Sequence, residues 1–306
     1  MSNTLTATQL AAIPTIANKA MAVRLTIGSG KARIRDTAAE AAVKQQFGDE
    51  GQTVSKSVFK NSACVVYRRM QKAGEMRQYF NRNTLPHTDG GWRVLPNTMY
   101  LEVSGMLGQY EQELKVMDAT ILGNYDALVQ QDITERNNAL AAQGKAANAK
   151  TEDYPTFDHM SRLLYVQYYF QPIATENDFR YAVTDADKDR LNGLFEELEE
   201  NISRSFYDRM MEPIQQFISK LEKYTGDDGQ RFSNSFVENI NDMLVHLPKL
   251  NYNDDPRVTQ MLEDVRKTME PYKFAGVDML KEDADARKLA QEKLKALATK
   301  LDGYGF

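Results

Sequence analysis

Residues 97–131 read NTMYLEVSGMLGQYEQELKVMDATILGNYDALVQQ. Met99, Val103, Met106, Tyr110, Leu114, Met117, Ile121, Tyr125 and Leu128 follow at intervals of three or four. That spacing lines one face of an α-helix, here a coiled-coil-like seam. At 1.5 Å per residue the helix is roughly 50 Å long. Gly105, Gly108 and Gly123 weaken it but let a neighbour approach closely. A second seam runs through 186–224: Leu191, Leu194, Leu198, Ile202, Phe206, Met210, Phe217, Leu221 and Tyr224. Pro213 lies inside it and predicts a kink near 209–212. The segment between the seams returns the chain, so the two helices are expected to pair as a long antiparallel hairpin.

Outside the seams the period changes. Residues 22–27 alternate apolar and polar, and with 32–34 beyond a Gly-Ser-Gly break they predict a strand hairpin. Residues 164–173 and 178–183 are aromatic and β-branched and predict two more strands on the same small sheet. Asp36 is a plausible N-cap for a helix over 36–47 stopped by Gly48, and a longer helix is expected over about 53–82. Pro86, Asp89-Gly90-Gly91 and Pro96 make 84–96 a non-helical connector. Three shorter helices are expected at about 232–247, 256–273 and 283–301, the second opening on Asp255-Pro256. The fold class that follows is α+β, predominantly helical and elongated, with a small β-sheet. The expected organisation is a flexible arm over 1–20, a basic region over 21–95 and an acidic helical body over 96–306. That body carries a strand-rich insertion at about 160–184.

Apolar residues make up 42% of the 306 residues, enough to bury a core and too many for a disordered chain. The single cysteine, Cys64, cannot form an internal disulfide, which fits a reducing compartment. No apolar run is long enough to span a membrane, and the first residues lack the basic start and apolar stretch of a secretory signal. The expected location is cytoplasmic, with no membrane partner.

Charge is unevenly distributed. Residues 1–95 hold 14 Lys and Arg against 6 Asp and Glu, a net of +8, whereas the remainder is at −13. A basic front on an acidic body suggests a nucleic-acid contact at one end. Lys56, Lys60, Arg68, Arg69, Lys72, Arg77 and Arg82 fall on or near one helix, interleaved with Tyr67, Tyr79 and Phe80, and Trp92 and Arg93 follow. Cations track a phosphate backbone, and aromatic faces stack on unpaired bases. Lys56, Lys60, Arg68, Arg69, Lys72, Arg77, Tyr79, Arg82, Trp92 and Arg93 are therefore the candidate nucleic-acid-binding residues, with single-stranded nucleic acid as the partner. The competing reading makes these charges a solvated helix face and the aromatics core. The acidic helices would then carry the function, as an adaptor or inhibitor on a protein machine such as an ATPase or nuclease. Apolar flank positions Leu101, Leu107 and Leu122 exceed what one partner helix covers and point to a homo-oligomer.

Catalytic and cofactor motifs are lacking. Gly28-Ser29-Gly30-Lys31 has Leu25 and Ala32 where a phosphate loop needs glycine and a hydroxyl residue. Asp185, Asp187, Asp189 and Glu196 have calcium-loop spacing, but Arg190 stands where the loop needs glycine, and Thr184 makes the stretch a capped helix start. His87, His159 and His246 are too scattered for a metal. No catalytic residue, metal or cofactor is expected.

Several landmarks occur in order: Tyr79 to Pro86 (YFNRNTLP), Gly91 to Pro96 (GWRVLP), Glu152 to Pro155 (EDYP), Asp178-Phe179-Arg180, Leu247 to Pro256 (LPKLNYNDDP), and Gly303-Tyr304. In these the chain resembles a family of tailed-bacteriophage and prophage proteins. The resemblance spans roughly residues 22–304. It implies a phage origin and action in the cytoplasm of an infected bacterium, where the adaptor's target would be a host or phage ATPase, nuclease or defence complex. It implies no activity and no site residues.

Overall fold

A computed structural model describes residues 16–28, 33–48, 53–174, 184–225, 233, 235–273 and 276–304. The strands are β1 (Ala20–Ile27), β2 (Arg33–Arg35), β3 (Ser55–Ser57), β4 (Leu85–Pro86), β5 (Arg93–Pro96) and β6 (Val166–Pro172). The α-helices are α1 (Thr37–Phe47), α2 (Val65–Arg82), α3 (Tyr100–Gly123), α4 (Tyr125–Ala141) and α5 (Phe157–Leu163), then α6 (Asp185–Lys223), α7 (Ser235–Leu250), α8 (Pro256–Met269), α9 (Gly276–Glu282) and α10 (Ala284–Asp302). Of the described residues 71% are helical, and with a small four-stranded antiparallel sheet the fold is α+β and predominantly helical. Residues 1–15 of the expected arm and the strand expected at 178–183 lie outside the described residues.

The contacts divide the chain into two compact units that interleave along it. The first comprises Met1–Arg24, Asn81–Leu101 and Tyr169–Phe306; the second comprises Leu25–Phe80 and Glu102–Tyr168. The division therefore does not follow a single boundary at 95/96.

The sheet order is β4-β5-β1-β6, with β1 antiparallel to β5 through Ala20↔Pro96 to Val23↔Arg93. The expected hairpin of 22–27 with 32–34 is corrected: β2 pairs with β3, Arg33↔Ser57 to Arg35↔Ser55. The connector over 84–96 supplies β1's partner. Its Val94 and Leu95 are fully buried, and Trp92 N–H closes the turn on the Asp89 carbonyl at 2.9 Å.

In the second unit Val58, Phe59, Val66, Ile121, Tyr125, Val129, Tyr154 and Met160 form one core. Phe59 has a positive φ of 56°, a conformation uncommon for a bulky residue. The buried Asp132 carboxylate accepts its N–H at 3.1 Å and the Tyr154 hydroxyl at 2.6 Å. Asp36 caps α1 as expected, accepting from Ala39 N–H at 3.0 Å, and Gly48 ends it with φ 69°. Helix α2 begins at Val65 rather than 53. Asn61 makes a turn first, its side chain accepting from Ala63 N–H and its carbonyl from Cys64 N–H, both at 2.9 Å. The long helix over 97–131 breaks at Asn124, between α3 and α4. The buried stripe is Val103, Leu107, Leu114, Ile121, Tyr125 and Val129. Leu107 is thus core rather than an oligomer flank, whereas Leu101 and Val116 are 81% and 68% exposed.

In the first unit α6 buries Phe195, Leu198, Ile202, Phe206, Met210, Ile214, Phe217 and Leu221. This seam is covered by α7 and α10. Phe217 stacks on Phe236 at 6.2 Å, and the Glu222 carboxylate takes Lys295 and Gln291 at 2.7 Å each. Each of the two seams is thus buried within its own unit. Thr184 and Asp187 cap each other at the start of α6, so the carboxylate run there is a helix start. Asp255 caps α8 ahead of Pro256.

Candidate anion-binding cleft

Helix α2 ends at Arg82, and its last carbonyls have no N–H of the next turn to receive. Asn83 and Thr84, both buried, then lead the chain into β4. Helix α6 supplies the missing donors. Arg209 donates to the carbonyls of Asn81 at 3.0 Å, Arg82 at 3.2 Å and Thr84 at 2.6 Å. A cation at a helix C-terminus is favoured by the partial negative charge there. The residue four beyond Arg209 is Pro213, which has no N–H to give the Arg209 carbonyl, so the helix is weakened at this point.

Arg93, on β5, approaches the same spot. Its Nε donates to Thr84 Oγ1 at 2.6 Å and its terminal nitrogen to the Thr84 carbonyl at 3.1 Å. Two guanidiniums thus share one carbonyl oxygen. Among the described residues no carboxylate lies within ion-pair distance of either, nor of Arg82. Burial, and then the charge of Arg93, pulls Arg209 down to about 10. Burial lowers Arg93 as well. Both stay cationic at neutral pH, with their charge poorly compensated.

These side chains open on a cleft of about 610 Å³ within the first unit. Arg82, Arg93 and Arg209 line it, with Glu212, Pro213 and Gln216 from the next turns of α6. Helix α7 adds Asn239, Asp242, Met243, His246 and Leu247, one helical stripe. The volume is that of a small-ligand site. Guanidiniums bind phosphate or carboxylate through paired N–H donors, so the arrangement suits an oxyanion.

The structure separates the ten sequence candidates. Arg82, Trp92 and Arg93 belong to the first unit, and Arg82 and Arg93 line the cleft. Lys56, Lys60, Arg68, Arg69, Lys72, Arg77 and Tyr79 belong to the second unit. Arg69 is fully buried, paired with Asp118 at 2.8 Å and bonded to the Gly28 carbonyl. Lys56 pairs with Asp153 at 2.5 Å. Lys72 is held charged by Glu75 at 2.9 Å and Glu113 at 3.0 Å, and lies over the Tyr110 ring. Arg77 donates to the Ile27 carbonyl at 2.5 Å. Tyr79 packs at 6.0 Å from Tyr110, and its hydroxyl is pushed up to about 12, first by burial. Only Lys60 and Arg68 among these seven are exposed. The basic helix is therefore no continuous cationic face: most of its charges are spent inside the fold.

Sequence reasoning missed Arg209, Gln216, Asn239 and His246. Arg209 stands in the acidic body, between buried Phe206 and Met210, and reads there as a solvated charge. The usable signal was its place one turn before Pro213. Among the described residues, no group of three His, Cys, Asp or Glu side chains could hold a metal ion. No helix among them is long and apolar enough to cross a membrane.

Comparison with family models, with curated proteins and with solved structures finds no match for this chain.

Proposed function

We propose that the protein binds single-stranded nucleic acid, as a non-enzymatic component of phage DNA metabolism, and that it holds phosphate in the arginine cleft rather than along α2. One observation carries this reading: Arg93 and Arg209 converge on the Thr84 carbonyl with no carboxylate in ion-pair range among the described residues. Two partly buried cations that form no ion pair among the described residues make a site that an oxyanion completes. Trp92, half-buried beside Arg93, is the ring closest in sequence on which a base could stack.

The test is an anisotropy titration of a single strand of about 40 nucleotides at low salt. Three arginine contacts predict a log–log salt slope of about −2, at about −0.7 per single-strand phosphate. Arg82→Gln, at an exposed position, should flatten the slope, and Arg68→Gln should leave it unchanged. Absence of binding by the full chain overturns the proposal.

One observation favours the adaptor reading instead: the charges of Arg69, Lys56 and Lys72 are neutralised within the second unit. That reading predicts nuclease-resistant capture of a protein partner and no affinity for the strand.

A further inference from the structure

Resting on the nucleic-acid reading, we propose that the cleft selects a terminal phosphate monoester, the phosphorylated end of a strand, over the internal phosphodiesters. Three features of the first unit lead there.

The first is charge. A phosphodiester carries one negative charge, whereas a monoester carries about −1.5 to −2 at neutral pH. Two partly buried guanidiniums lie 2.6 Å and 3.1 Å from one shared carbonyl oxygen, with no carboxylate in ion-pair range among the described residues. A monoester brings more negative charge to this pair than a diester does.

The second is donor supply. Each guanidinium has five N–H groups. Arg209 spends three on Asn81, Arg82 and Thr84, and Arg93 spends two on Thr84. The remaining donors belong to side chains that line the cleft, with Arg82 beside them. A terminal phosphate offers three unbridged oxygens to such a set and an internal one offers two.

The third is the wall. Glu212 and Asp242 line the same cleft. A strand running through it would carry further phosphates past these carboxylates in both directions, and like charges repel. A strand end brings one phosphate in and leaves by one side only. The volume of about 610 Å³ is that of a site for one small group and not of a strand-long groove.

The experiment uses the full chain and three otherwise identical strands of about 20 nucleotides, labelled internally: one with hydroxyls at both ends and one phosphorylated at each end in turn. The expected result is that one phosphorylated strand binds about tenfold tighter, the effect of one additional charge-assisted contact. Glu212→Gln should narrow the gap by strengthening the hydroxyl-ended strand. Arg93→Gln should abolish the gap; circular dichroism and Arg82→Gln, whose side chain touches no backbone carbonyl among the described residues, separate this from unfolding. Equal affinity for all three strands overturns this inference and leaves the nucleic-acid reading standing. Binding of none overturns that reading as well. A nucleoside monophosphate that displaces the strand at equal concentration shows a free-nucleotide site and overturns selection of a strand end.

Discussion

Arg69 Nε donates to Asp118 Oδ1 at 2.8 Å from a side chain with no exposure to solvent, and a second guanidinium nitrogen reaches the Gly28 carbonyl. The pair joins α2 to α3, and the third contact holds the end of β1. An ion pair this deep is costly to make but costlier to break from one side. Arg69→Ala should therefore lower stability by about 3–5 kcal/mol in urea unfolding, because it strands a partly buried carboxylate. Asp118→Asn should cost a comparable amount: the amide oxygen still accepts, but the fully buried guanidinium loses its counter-charge. An Arg69→Ala protein with parental stability and a flattened salt slope would return this arginine to the strand-binding surface.

Gly28 closes the same corner. A Cβ built there would meet the Leu163 carbonyl at 2.1 Å and the Tyr165 ring at 2.8 Å. The carbonyl is backbone and cannot step aside, and Gly28 N–H already donates to the Tyr165 carbonyl at 3.0 Å. Gly28→Ala should cost at least about 2–3 kcal/mol through overpacking. Gly74→Ala, with nothing within 4 Å, should be neutral or slightly stabilising in a helix. Equal melting temperatures for the two variants would contradict the close approach.

The seams test how far periodicity can be trusted. Ile202 is 4% exposed within α6, whereas Met117 is only half-buried on α3. Ile202→Asp should cost several kcal/mol by burying an unpaired charge, and Met117→Asp distinctly less, as urea unfolding would measure. If Met117→Asp proves the more damaging, the α3 stripe has been assigned to the wrong face. The spacing of three and four made both helices legible, as did the caps at Asp36, Thr184 and Asp255. Their partners were not legible. A seam records that a face is buried and not which helix covers it, so α7 and α10 could not be read from α6. The β1–β5 pairing was hidden because Arg93 to Pro96 is too short to show a period. The cleft was half legible: Arg82 and Arg93 stand in the basic front, but Arg209 meets them only through the return of α6.

Buried phenols give the fold an alkaline limit. Tyr125 and Tyr79 are each pushed up to about 12 from 10.0, in both cases mainly by burial, and Tyr154 is raised further by burial and by Asp132. A folded-state value above the unfolded one means that the neutral form is favoured in the fold. The contribution is fully present below pH 10 and is lost as pH rises from there through about 12. Stability should be flat in this respect near neutrality and fall steeply over that window, as unfolded chains release protons that the fold retains. Tyr125 donates its hydroxyl proton to the Pro155 carbonyl at 2.5 Å, so Tyr125→Phe should cost about 1 kcal/mol at pH 7. The same variant should lose less stability than the parent between pH 10 and about 12, because one of the shifted phenols is gone. Urea unfolding across this range, paired with ultraviolet titration of the phenolates, reads both effects. Phenols that all titrate near 10 in the folded chain would show that these rings are open to water.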